Sequence, residues 1–424
     1  MTVKRSMLIG RTRWLLKQFK KKMWVRAALF SLGAVATAVM SAQLGPLIPA
    51  GWELILAAGS VDSILNILAT SMLTVTTFSL SIMVTAYGSA TSNVTPRSTT
   101  LLLDDSVAQN TLSTFLGSFL FSIVGIIGLA AGLYEGNGRL ILFMATLVVV
   151  VIITAALLRW IDQLGKFGRV GDTISRVEAV AIAAARLWGQ HPRLGTKPLP
   201  ALLPGEPAVP LRASRVGYVQ HVDIEALERI AVGHALELRV TAMPGAFVTP
   251  EAPLLWVSGA DQLSASEHAL RDCFALADER NFDQDPRYGL IVLSEIASRA
   301  LSPAVNDPGT AINVLDAGAR VIESYLDCRL QAEAEVCTRV FADDLDTEAL
   351  FFEFFNPIAR DGAAMVEVQT QIQSVLQSSA ALAGNGALAM HARAEASAAR
   401  ARAMDKLESP RDRDALTRAC HWLQ

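Results

Sequence analysis

Residues 63–132 decide how this chain is read: SILNILATSMLTVTTFSLSIMVTAYGSATSNVTPRSTTLLLDDSVAQNTLSTFLGSFLFSIVGIIGLAAG. Two long apolar runs are joined by a short polar segment. The first run carries Thr70, Thr74, Thr77, Ser81, Thr85, Gly88 and Ser92. These residues recur in steps of three and four, the spacing that keeps them on one face of a helix. Leu, Ile, Val, Met and Phe fill the other faces. Hydrocarbon cannot hydrogen-bond a polar stripe, so in a bilayer such a face looks toward other helices or toward water. The second run repeats the design with Thr114, Ser118, Ser122, Gly125, Gly128 and Gly132. Gly128 and Gly132 have the spacing that lets helix backbones approach closely, so Gly125, Gly128 and Gly132 are helix-packing candidates. The stripe Thr70, Thr74, Thr77, Ser81, Thr85 and Ser92 is a candidate pore lining or helix interface.

Working outward, two more apolar runs give four spans, at about 27–43, 63–87, 111–133 and 140–158. Runs of this kind can cross a hydrocarbon layer of about 30 Å. Composition agrees: 52% of the 424 residues are hydrophobic and 18% are charged. Residues 1–26 are rich in Lys and Arg, including Lys20, Lys21, Lys22 and Arg26. Residues 43–62 hold neither Lys nor Arg, whereas Arg97, Arg159, Lys166 and Arg169 follow the second and fourth spans. The positive-inside rule therefore places both termini in the cytoplasm and makes the chain a multi-pass membrane protein.

No Asp, Glu, Lys, Arg or His lies in the middle of any span. Ion-coupled carriers and voltage sensors place such groups there, so a passive pore or a membrane anchor fits better. The net charge of −3 and the lack of basic runs interleaved with aromatics argue against a nucleic-acid partner. Four widely spaced cysteines form no CxxC pair, and no metal ligand set or cofactor motif is present. In the loop between the spans, Pro96 stops the helix before it. Arg97 is expected to pair with Asp105 or to contact lipid phosphate, with Asp104 beside it.

After the spans, residues 159–210 read as connecting helices and a Pro-rich linker. Residues 211–260 read as a small β-rich unit with the order of a hammerhead carrier domain. That unit has no hairpin lysine to acylate, because Lys is absent between Lys197 and Lys406. Residues 261–424 read as helical. Within them, Asp307 precedes Pro308, the pattern of a helix N-cap followed by Pro at the first helical position. Asp285, Glu295 and Asp307, with Arg280 and Arg299, offer charged groups, and Asp285 and Asp307 could be combined as a metal or phosphate site. Nucleophilic catalysis lacks a base there, because all six histidines lie elsewhere. The chain thus reads as a non-enzyme rather than an enzyme.

The runs DPRYGLIVLSEIASRALSPAVNDPGTAINVLD, TPRSTTLLLDD and GYVQHVDIEAL resemble the bacterial predicted-membrane-protein family known as domain of unknown function 2254. The signature residues are Arg280, Gln284, Asp285, Tyr288, Gly289, Ser302, Pro303, Asn306, Asp307, Pro308 and Thr310. The sequence departs from the family pattern at Thr95, Glu251 and Ala304. The resemblance implies a four-span helical membrane protein with a cytoplasmic α+β domain, and it brings no activity with it. The function expected is a homo-oligomeric passive pore gated by its cytoplasmic domain. The alternative is a membrane-anchored sensor or scaffold, and a membrane-tethered enzyme is third. The orientation is checked by labelling intact cells from outside. A cysteine placed at Gly51 should react and one placed at Ser92 or Ser214 should not; reaction at Ser214 would reverse the assignment.

Overall fold

A computed structural model describes residues 14, 23–43, 60–103, 105–134, 137–165, 168–200, 208–259, 263–332 and 337–424. Most of the basic N-terminal stretch, the loop expected outside the membrane, Asp104 and residues 201–207 of the Pro-rich linker lie outside the described residues. The chain divides into two compact units, one of residues 16–92 and 99–172, the other of residues 1–15, 93–98 and 173–424.

The first unit is built from α1 (Met23–Gln43), α2 (Ser60–Asn93), the short α3 (Thr99–Leu103), α4 (Ser106–Ala130) and α5 (Asn137–Leu164). The four long helices are each long and apolar enough to cross a membrane. They outrun the hydropathy boundaries because a helix continues into the polar residues that flank its apolar core. Ala38, Val61, Leu65, Phe121 and Leu142 bring all four together in one buried cluster. Met72, Met83, Leu112, Phe115, Ile153 and Trp160 form a second. α1 and α4 approach closely at Gly117, where a Cβ would stand 3.2 Å from the Phe30 carbonyl oxygen. Gly128 leaves room for the Tyr134 ring, whose hydroxyl donates to the Ala38 carbonyl at 2.8 Å. Gly132 does not pack against a helix. It takes φ +71 just past the end of α4, and the Leu133 amide closes back on the Gly128 carbonyl at 2.9 Å. A left-handed residue followed by this longer bond is how helices commonly end.

The second unit runs α6 (Val170–Gln190), β1 (Lys197–Pro198), β2 (Ala208–Arg212), β3 (Gly217–Val222), α7 (Ile224–Gly233), β4 (Glu237–Val240), β5 (Phe247–Val248), β6 (Pro253–Ser258), α8 (Leu263–Arg271) and β7 (Phe274–Ala277). It continues with α9 (Pro286–Ala300), α10 (Pro308–Leu330), β8 (Val340–Ala342), α11 (Thr347–Asp361), α12 (Val366–Ala383), α13 (Ala387–Lys406) and α14 (Pro410–Ala419). The strands form a mixed sheet in the order β1-β8-β4-β6-β2 and a smaller antiparallel sheet in the order β5-β3-β7. β1, β7 and β8 come from outside residues 211–260. Parallel pairing of β8 with β4 and β1 joins segments more than a hundred residues apart, and local alternation carries no trace of such a partner. The last helical stretch is divided in two, because Ser409-Pro410 interrupts it after Lys406 and starts α14.

Helices α9 to α13 pack around buried aromatics and small residues. Phe351, Phe354 and Phe355 are fully buried. The Phe354 ring occupies the space in which a Cβ on Gly318 would sit. Gly318→Ala should therefore destabilise the unit by about 1–3 kcal/mol, as overpacked cores do. Phe354→Leu added to it should return part of that loss in a thermal or denaturant unfolding series.

Candidate functional site

Along α2, Thr70, Thr74, Thr77, Ser81, Thr85 and Gly88 are exposed on the first unit. Their helix instead buries Val61, Leu65, Met72, Ser79 and Met83. The hydroxyls donate back along the helix, Thr74 to Thr70 O at 2.9 Å, Thr77 to Leu73 O at 3.0 Å and Ser81 to Thr77 O at 3.0 Å. Thr70 and Thr85 do the same toward Asn66 and Ser81. At its N-terminal end the stripe borders a shallow groove lined by Asn66, Ile67, Thr70, Ser71, Thr74 and Val75. The backbone of Ser92 is helical, and its side chain lies outside the described part. The second small-residue face has a different fate. Ser118, Ser122, Gly125 and Gly128 are buried within the unit, Gly125 against Leu65.

The segment after α2 is bound to the second unit. Pro96–Ser98 forms one 3₁₀ turn, closed by the Ser98 amide and hydroxyl on the Thr95 carbonyl at 3.2 and 2.8 Å. Val94, Thr95 and Ser98 are buried. Thr95 donates its hydroxyl to Glu295 Oε2 at 2.9 Å, and Arg97 pairs with the other carboxylate oxygen. Arg97 is thus paired with Glu295 on α9, which the sequence reading did not anticipate. Asp105 is occupied otherwise: it caps α4 through the amides of Val107 and Ala108 at 2.8 and 3.0 Å. Its second oxygen accepts from Gln163 at 2.6 Å.

The signature stretch centres on a buried ion pair. Arg280 donates to Asp285 through two nitrogens at 2.7 and 3.0 Å, and Asp285 caps α9 through the Tyr288 amide at 3.1 Å. Burial pushes the Asp285 carboxyl above its ordinary range, and the guanidinium pulls against that shift. Gly245, at φ +91, brings the turn before β5 directly onto this pair, where a side chain would collide with both residues. Gln284 accepts from the Val222 amide at 3.0 Å and, through its carbonyl, from the Trp188 indole at 2.8 Å. Tyr288 packs on Phe282 at 4.6 Å, with the Arg280 guanidinium over its ring. Trp14 stacks on His221 and donates to Asp283 at 2.8 Å. Gly289 gives α9 its close crossing with Ala181 of α6.

At the far end of α9 the chain turns in the open. Pro303, Ala304, Val305, Asn306 and Asp307 are exposed. Ser302 accepts the amides of Val305 and Asn306, and Asn306 takes the left-handed φ of +52. Pro308 opens α10, and Asp307 caps it by accepting from the Thr310 amide at 3.0 Å and the Thr310 hydroxyl at 2.7 Å. Asp285 and Asp307 stand at opposite ends of the 15-residue α9, roughly 22 Å apart at 1.5 Å per residue. They cannot share an ion. Among the described residues no group of three or more His, Cys, Asp or Glu could hold a metal.

The family described as predicted membrane protein (DUF2254) matches residues 20–378. The chain belongs to this family. The uncharacterized protein Rv1290c of Mycobacterium tuberculosis (strain ATCC 25618 / H37Rv) is 29% identical over 284 residues, 64% of this chain and 53% of its own length. The uncharacterized protein Mb1321c of Mycobacterium bovis (strain ATCC BAA-935 / AF2122/97) matches equally. The chain therefore spans about half the length of the curated relatives it matches. No solved structure matches.

Within this DUF2254 chain, sequence reading singles out the cap at Asp307 and offers Asp285 and Glu295 as carboxylates, but it misses the Asp285 cap and the contacts of Gly245, Gln163 and Trp14. Glu295 is the only acidic residue in α9. The corner itself can be tested. Asp307→Ala should cost about 0.5–2 kcal/mol, as a lost N-cap does, and Asp307→Ser should recover most of it. The bonds from Thr310 hold the Asp307 carboxyl below its ordinary range. Its contribution is therefore complete above that range and fades as pH falls through it. Unfolding followed from neutral to acid pH should show the wild type converging on Asp307→Ala at the acid end.

Proposed function

We propose that this DUF2254 protein is a homo-oligomeric passive pore of the bacterial inner membrane, with the stripe of α2 facing the axis and the second unit in the cytoplasm as the gate. One observation carries the reading: the stripe is exposed on the four-helix unit, so no span of the same chain covers it. In a bilayer, other copies or water are the covers that suit a row of small polar residues. A ring of copies turning α2 inward supplies both, with lipid on the apolar faces. The spans have no midplane charge, which suits passive conduction rather than coupled transport. Within that proposal, residues 1–26 and all residues from 159 onward are cytoplasmic, as the Lys/Arg distribution requires.

A second reading has its own support. Each stripe hydroxyl has its donor satisfied by the preceding turn, which lowers the cost of a dry environment. The stripe would then be a close helix contact between copies, and the protein a membrane-anchored sensor or scaffold without conduction. A tethered enzyme has less to stand on, because the carboxylates of the signature are engaged in capping and ion pairs.

Cysteine substitution separates the first two readings. For a wet pathway, cysteines at Thr74, Thr77 and Ser81 should react with small aqueous thiol reagents in the assembled protein, while those at Leu73 and Leu80 should not. Thr77→Leu should then block ion flux in reconstituted vesicles without dispersing the oligomer, because a filled or dewetted constriction closes a pore. Inert cysteines at all three positions, together with vesicles that conduct nothing, would leave the sensor.

A further inference from the structure

We propose that Glu295 is a latch that couples the position of α9 to the end of α2. Its two carboxylate oxygens hold two different residues of one short turn, Thr95 and Arg97. That turn has no slack: α2 ends at Asn93 and only Val94 separates it from Thr95. A single residue spans about 3.8 Å between Cα positions. A displacement of the Glu295 carboxylate is therefore passed on to the helix end rather than absorbed by a flexible linker. The turn is itself stiff, because Pro96 fixes one dihedral and the amide and hydroxyl of Ser98 both close on the Thr95 carbonyl.

The attachment differs in kind from the buried pair at the other end of the stretch. Arg280 and Asp285 are 16% and 3% exposed, the signature of a permanent structural contact. The side chains of Arg97 and Glu295 are 55% and 29% exposed. A solvated ion pair contributes little net free energy and can open without unfolding its surroundings. Its opening leaves the turn held by the Thr95 bond and the buried Val94 and Ser98. The turn is released only when Glu295 lets go of both residues, while the Arg280–Asp285 pair keeps the start of α9 in place. Asp283 holds Trp14 near that same fixed start. α9 thus has one anchored end and, in its second half, a releasable contact with the segment that ends the polar-striped helix. This inference deepens the gated-pore reading by naming the gating contact, and its test does not use conduction.

The full-length protein in lipid vesicles carries a nitroxide label at Gly88→Cys, an exposed position with open space around it, in a Cys328→Ser background. Trypsin cleavage after Arg97 reports release of the turn, and the label spectrum reports the end of α2. Glu295→Gln and Thr95→Val should each raise cleavage after Arg97 several-fold and change label mobility, with Glu295→Gln having the larger effect. The exchange Arg97→Glu with Glu295→Arg should bring the label spectrum back toward wild type, which loss of a merely structural residue would not allow. Faster cleavage with an unchanged label spectrum would overturn the latch, because the turn would then open without moving α2. Unchanged cleavage in both single variants would overturn it as well. A label response in vesicles that conduct no ions would support the latch while removing the pore.

Discussion

The paired bonds between Arg280 and Asp285 are the interaction on which the second unit depends. Asp285 does two jobs with one carboxylate: it starts α9, and it neutralises a guanidinium that is itself largely buried. Removing either member of such a pair leaves an uncompensated buried charge, a loss of about 3–5 kcal/mol. The turn at Gly245 rests on the pair, and the neighbouring Gln284 ties in β3 and α6. Three segments far apart in the chain therefore depend on one charge being satisfied. That explains a signature so dense in polar residues.

The four-helix unit obeys a different constraint. Its cohesion comes from apolar side chains and close backbone approach, with Gly117 and Gly125 opening space for Phe30 and Leu65. Polar residues on α4 are turned into the unit, and those on α2 are turned out. Two stripes of nearly identical composition thus have opposite environments. Composition and period are alike; the difference is the number of neighbours. α4 packs against α1 and α5, so both its small and its large residues are covered. α2 covers only the face of Val61, Leu65, Met72 and Met83.

The two Asp-Pro corners show why a motif is not a site. Each aspartate accepts from the amide three residues on, and each proline supplies the fixed dihedral of a first helical turn. One lies buried against an arginine and the other stands in solvent. The helix between them keeps their carboxylates apart, so the chemistry that two acids could do together is never assembled.

Much of this protein is determined by local sequence. The four spans follow from runs of apolar residues, because a helix in hydrocarbon must satisfy its own backbone whatever lies beside it. The cap at Asp307 follows from its place before Pro308, a preference that acts within one turn, and the structure shows Asp285 before Pro286 doing the same. The break before α14 was also written locally, in Pro410. The partner of Arg97 was not, since Asp105 was nearer in sequence and equally acidic. Only the fold reveals that Asp105 caps α4 and accepts from Gln163, and that Glu295, nearly two hundred residues away, holds Arg97. Strands β1, β7 and β8 were hidden for the same reason, because their pairing partners lie far off in the chain. The outward face of α2 belongs to this second class too: a periodic stripe is a local property, but which side of a bundle it occupies depends on every helix that packs there.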